Sequence, residues 1–202
     1  MCVFSFSFSF SLSFFDFFRG PPSAEELERQ RMNPRHRSLK RISVGSNRLT
    51  GPVGVLSVSL KLRLEHLTLP NNRLSGSLDG LFARWQRSSD QRVSLVTLNL
   101  SGNALTGRLP RALQTARHAL KTLDLGHNRL TGTADPLLLG QLTLLRALRL
   151  SHNRLTGAVP EALTNLSSSL VELSMGHNNL SGSLPCEALG MLSELQVGGC
   201  AV

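Results

Sequence analysis

From residue 39 onward the chain repeats one pattern of apolar and polar positions, L-x-x-L-x-L-x-x-N-x-L-[S/T]-G, six times. The units are "LKRISVGSNRLTG" from Leu39, "LEHLTLPNNRLSG" from Leu64, "LVTLNLSGNALTG" from Leu95, "LKTLDLGHNRLTG" from Leu120, "LRALRLSHNRLTG" from Leu145 and "LVELSMGHNNLSG" from Leu170. Ile42, Val44 and Met175 are the only apolar replacements of a template leucine. The asparagines recur every 25 residues, except for one step of 31 with an insertion around residues 79–92. A fixed period in this range predicts a solenoid, in which each coil contacts only its neighbours. The fragment L-x-L alternates with period two, so it predicts a short strand with one buried face. Stacked coils then pair their strands in parallel, about 4.8 Å apart. The stretch between strands, such as "TGAVPEALTNLSSSLVE", is long enough for the crossover that parallel pairing requires.

The asparagines at 47, 72, 103, 128, 153 and 178 have a defined task in this scheme. Where the chain turns out of each strand, buried backbone groups lose their strand partners. An amide that donates and accepts can satisfy them in its own and the next coil. Loss of Asn47, Asn72, Asn103, Asn128, Asn153 or Asn178 should therefore cost about 1 to 3 kcal/mol. The glycines at 51, 76, 107, 132, 157 and 182 supply positive φ or close approach after that turn.

The template resembles that of the leucine-rich-repeat family in its plant-type form, L-x-x-L-x-L-x-x-N-x-L-[S/T]-G-x-[I/L]-P. The likeness covers roughly residues 39–200, and the closing proline occurs three times, as Pro110, Pro160 and Pro185. Gly54, Asp79 and Asp135 stand there in the other units. The resemblance implies an α/β repeat solenoid, an arc with a concave parallel β-sheet and short helical or irregular convex segments. It also implies a recognition surface for a protein or peptide, of the kind found in receptor-like ectodomains.

Binding residues are then sought among the outward positions of the strands. Candidates are Arg41, His66, Thr97, Asn99, Thr122, Asp124, Arg149, Glu172 and Ser174, with Ser43, Thr68 and Ala147 filling the rows. This surface is polar and of mixed charge, and it lacks the Trp, Tyr and Phe that anchor tight interfaces.

Composition alters the picture at the ends of the chain. The protein has no Tyr and one Trp, and eight of its nine Phe fall within residues 4–18, so the repeats must build an aliphatic core. Residues 1–20 form a Phe/Ser segment that reads as an atypical signal or a non-native leader, since no basic residue precedes its apolar part. Residues 21–38 read as a charged linker and residues 39–202 as the repeat domain, six coils plus a truncated seventh. In that seventh unit, "LSELQVGGC", Cys200 takes the Asn position. A further repeat segment or a partner is accordingly expected over the C-terminal coil. Cys186 and Cys200 could pair in an exported chain. No run of 18 apolar residues suggests a membrane span.

The net charge is +9 and 19 of the 22 basic residues are Arg, a balance suited to acidic partners. Arg48, Arg73, Arg129 and Arg154 recur directly after the asparagine, and His127, His152 and His177 directly before it. The Arg row could serve as an anion stripe. Exposed Arg tolerated for its apolar stem is the simpler reading, and the missing aromatics disfavour nucleic acid. Three histidines in a linear stack present parallel rings, which suits a pH-sensitive patch better than a metal site. Duplication of the repeat accounts for their recurrence. There is no glycine-rich phosphate loop, G-x-S-x-G, H-E-x-x-H or Cys-x-x-Cys, so the chain reads as a non-enzyme needing no cofactor or metal. Sequons stand at Asn99, Asn165 and Asn179. Two roles follow: an exported or cell-surface recognition module, which is preferred, and an intracellular scaffold for protein partners.

Overall fold

The computed structural model describes residues 40–56, 64–82, 93–166 and 168–182. The first residue of each L-x-L and its two flanking residues form a three-residue strand: Arg41–Ser43, His66–Thr68, Thr97–Asn99, Thr122–Asp124, Ala147–Arg149 and Glu172–Ser174. These six strands pair in parallel and in chain order, forming one continuous sheet. The register matches template positions without slippage: Leu67 faces Leu98, Leu98 faces Leu123, and Leu123 faces Leu148. A one-residue slip would turn the buried leucines outward, so burial and register enforce one another.

The core is the leucine ladder itself. Leu67, Leu98, Leu123 and Leu148 are fully buried at the centre of their strands, as are Leu100, Leu125 and Leu150 just after them. Leu105, Leu130 and Leu155 continue the ladder beyond the asparagine turn. The outermost described coils are looser, with Val44, Leu49 and Leu180 half-buried. Each has a described neighbour on one side only, which is the expected pattern of a one-dimensional stack.

A second set of strands was not anticipated. After the asparagine, the segments Thr50–Pro52, Arg73–Ser77 and Ala104–Thr106 pair in parallel, and so do Thr131–Thr133, Arg154–Ala158 and Asn179–Ser181. Their signal lay in the template: the sequence Arg154, Leu155, Thr156 alternates exposed, buried, exposed. This is the same period-two pattern that marked the first strand. Hydrogen bonds from Arg129 N–H to Leu105 C=O and from Thr131 N–H to Gly107 C=O, each 2.8 Å, connect the two groups.

The crossovers then divide by the residue at the closing-proline position of the template. Pro110 precedes a 3-10 helix at Arg111–Ala116, and Pro160 precedes one at Glu161–Leu166. Where Asp135 replaces proline, its side chain accepts the Leu137 N–H at 3.0 Å and caps a short α-helix, Pro136–Leu139. Asp79 lies inside another, Leu78–Phe82, and Gly54 lies in the 3-10 turn Val53–Val55. These last two segments meet through glycine. A Cβ on Gly80 would stand 2.9 Å from the Gly54 Cα, so only glycine permits this approach. The remainder of the insertion, residues 83–92, lies outside the described residues, as do the Phe/Ser segment, the charged linker, Pro185, Cys186, Cys200 and the seventh unit. Among the described residues, no helix is long and apolar enough to cross a membrane.

Candidate functional site

Parallel pairing brings the outward side chains of the six-stranded sheet into two rows. Arg41, His66, Thr97, Thr122, Ala147 and Glu172 occupy the first strand position, and Ser43, Thr68, Asn99, Asp124, Arg149 and Ser174 the third. All nine candidate residues lie on this one face, between buried leucines. The rows are cross-linked by side chains. His66 Nδ1 is 3.1 Å from Thr97 Oγ1, and Ser151 Oγ is 2.6 Å from Ser174 Oγ. At the edge, Lys40 Nζ pairs with Glu65 Oε1 at 2.8 Å, and that hydrogen bond holds the Glu65 carboxyl below its ordinary range.

Charge concentrates in the fourth to sixth coils. Arg149 donates through Nε and Nη2 to the two carboxylate oxygens of Glu172, and its Nη1 lies 3.8 Å from Asp124 Oδ2. The hydrogen bond to Glu172 raises the Arg149 pKa further, so the guanidinium stays charged. Asp124 behaves differently. Desolvation lifts its carboxyl above the ordinary range, against the opposing effects of the Gly126 N–H, 3.2 Å away, and of Arg149. Because the folded-state pKa is the higher one, folding gains as pH falls through that window, and the ionised form at neutral pH is the disfavoured one. Asp124→Asn, which retains the Oδ1 acceptor for Gly126, should therefore melt at the same temperature as the parent or higher at neutral pH. A clearly lower melting temperature by differential scanning fluorimetry would mean that the pair with Arg149 outweighs desolvation.

The asparagine ladder supports this face from beneath. The Nδ2 of Asn128 donates to Leu125 C=O at 3.1 Å and Gly126 C=O at 3.1 Å in its own coil. It also donates to Leu100 C=O at 3.0 Å, while Oδ1 accepts the Leu105 N–H at 3.0 Å. Asn72, Asn103, Asn153 and Asn178 repeat the set, each reaching one carbonyl and one N–H of the coil before it. The expected reach into the next coil is thus corrected to the preceding one, because the turn places the amide under the strand already laid down. Asn47 is exposed and donates only to Gly45 C=O, at 2.7 Å, among the described residues.

The residue just before each asparagine adopts a left-handed conformation that the repeat pattern did not signal. Positive φ occurs at Ser46, Asn71, Gly102, His127, His152 and His177, as well as at the template glycines from Gly51 to Gly182. The three histidine rings stack in register, with centroids 4.0 and 4.1 Å apart. Among the described residues, no group of three or more His, Cys, Asp or Glu is placed to hold a metal ion.

The fold and face together define a class of protein: a solenoid of parallel-strand coils, closed by an asparagine ladder and presenting a continuous polar sheet. The family described as leucine rich repeat matches residues 93–155 and, one coil later, 118–180. Among solved structures, the chain is similar to the plant peptide hormone receptor RGFR1 in complex with RGF2, with 28% identity, a TM-score of 0.65 and coverage of 79% of this chain and 24% of that one. It is similar to the Arabidopsis receptor kinase HAESA in complex with the peptide hormone IDA and the co-receptor SERK1, with 25% identity, a TM-score of 0.66 and coverage of 80% and 25%. It also resembles a chain of the BIR3–SERK2 complex from Arabidopsis thaliana, with 30% identity, a TM-score of 0.53 and coverage of 70% and 69%. No curated protein matches the sequence. The chain belongs to the leucine-rich-repeat family, in its plant-type form, and resembles receptor ectodomains. It spans about a quarter of the length of the two peptide hormone receptors.

Proposed function

We propose that the protein is a non-catalytic recognition module that binds a protein or peptide on the outward face of the six-stranded sheet. The observation that carries this reading is the pair of rows from Arg41 to Ser174, polar at every place but Ala147 and held in register by buried leucines. Such a surface costs little to organise on binding, because the strands are already fixed. The complexes formed by RGFR1 and HAESA with peptide hormones support the same use of a related scaffold. Peptides selected from a random library against the full chain provide the test. Thr97→Arg and Thr122→Arg, which place bulk in the middle of the face, should weaken those peptides by about tenfold or more. Binders that tolerate both substitutions, with folding intact, would move the site elsewhere.

The module is assigned to the exported or cell-surface compartment. Asn165 and Asn179 are exposed, whereas Asn99 is half-buried and its Oδ1 accepts the Ser101 N–H at 3.0 Å and the Ser101 hydroxyl at 2.8 Å. Expression in a secretion-competent eukaryotic cell should yield secreted product with glycans at Asn165 and Asn179 and none at Asn99. Retained, unmodified product would favour the intracellular scaffold instead.

A further inference from the structure

The rim between the six-stranded sheet and the outer strands carries a second ordered array, separate from the polar rows above. His127, His152 and His177 are exposed there, stacked with interplanar angles of 14° and 15°. Each sits at positive φ, of 51°, 56° and 54°, a conformation that glycine and asparagine occupy at lower cost. Gly102 and Asn71 fill the equivalent places in earlier coils. Two residues beyond, Arg129 and Arg154 are exposed, and among the described residues no ion pair involves them, nor Arg48 or Arg73. On the adjoining strand the Asp124 carboxylate feels the charge of His127, and Arg149 and Glu172 are paired to each other. Asn179 occupies the place of the arginine in the sixth coil.

We propose that this rim is a docking surface for an acidic peptide segment, engaged more tightly as pH falls through the range in which imidazole gains a proton. Protonated rings about 4 Å apart repel one another, and a carboxylate laid across them removes that repulsion. Arg129 and Arg154 supply charge that does not change with pH, and so a basal affinity. The net charge of +9 adds long-range attraction for the same class of partner. Bases of a nucleic acid find no exposed Phe, Tyr or Trp among the described residues, since the one aromatic of that kind described, Phe82, is buried.

The behaviour of the middle ring agrees in sign. Desolvation, followed by the charges of His127 and His177, lowers the His152 pKa. In the free protein its contribution to stability is therefore full above about pH 6.5 and is lost as pH falls. A bound carboxylate reverses the shift, and by linkage the protonated rim binds the carboxylate better.

The test measures binding of a fluorescein-labelled, aspartate-rich synthetic peptide to the full chain by anisotropy, at about pH 7.5 and about pH 5.5. The parent protein should bind about tenfold tighter at the lower pH, the combined effect of three screened surface ion pairs. In the variant carrying His127→Asn, His152→Asn and His177→Asn, chosen because asparagine tolerates positive φ, that ratio should fall to near one. Arg129→Gln with Arg154→Gln should weaken binding at both pH values and leave the ratio intact. An unchanged ratio in the histidine variant overturns the proposal, as does a single-stranded RNA or an anionic vesicle that displaces the peptide at lower charge concentration. Should the histidine variant fail to fold, undiminished affinity in the arginine variant overturns it equally. The charge-neutral substitutions Thr97→Gln and Thr122→Gln on the sheet face should leave this binding unaltered, which separates the rim from the recognition face.

Discussion

Replacing Asn128 by alanine is expected to destabilise the protein by more than about 3 kcal/mol, above the range that a single lost hydrogen bond would cost. The amide is buried, and its NH2 group shares two hydrogens among the carbonyls of Leu100, Leu125 and Gly126 while its oxygen accepts from Leu105. Alanine offers none of these, and a buried unpaired group costs about 1 to 3 kcal/mol. Partial relaxation and entry of water keep the total below a simple multiple of that figure. The effect should also be non-local, since Asn128 joins two coils in a stack where each coil is held only by its neighbours. Asn47→Ala is the matching control, because Asn47 is exposed and makes one such bond, and it should cost about 1 kcal/mol or less. Urea denaturation followed by circular dichroism compares the two; equal losses would mean that the ladder does not hold the coils together.

The second large effect concerns adjacent residues with opposite orientation. Leu150 is fully buried, and Leu150→Ala should cost about 2 to 5 kcal/mol through lost apolar contact and the cavity left behind. Its backbone carbonyl, which accepts from Asn153 and Asn178, survives the substitution, so the measured loss reports packing alone. The neighbouring Arg149 projects outward. Arg149→Ala removes the pairing with Glu172 and the proximity to Asp124, and should cost as much as about 1 kcal/mol. A side chain that is 38% exposed is too well solvated to contribute more. Thermal melts of the two variants should differ clearly, and equal losses would contradict the assigned orientation of the strand.

Legibility followed the period. The strand at Thr122–Asp124, the buried leucines on either side of it and the lateral rows of the face could all be read from the 25-residue repeat, because a strand that must bury every second side chain leaves no freedom over which residues point outward. The outer strands carried the same alternation in Arg154, Leu155 and Thr156, but the Thr-Gly pair at Thr156 and Gly157 resembles a turn and concealed it. The left-handed residues were less accessible still. Gly, Asn and His tolerate positive φ better than most residues, but they are equally common in ordinary turns, so the conformation imposed by the turn into the asparagine was not marked in advance.

The sequence by itself determined the number of coils, the identity of the core and the sides of the sheet, since these depend on spacing and hydrophobicity repeated often enough to exclude another register. Only the tertiary structure decided which side chains meet across coils. Arg149 is 23 residues from Glu172, yet it grips that carboxylate, while desolvation in the same cluster raises the Asp124 pKa. The linear stack of His127, His152 and His177 followed from their 25-residue spacing, and the tertiary structure added its separation of 4.0 and 4.1 Å. A pairing such as that of Arg149 with Glu172 depends on the lateral offset and rotamer of long polar side chains, quantities set by the packing of neighbouring coils and not encoded in the period of any one of them.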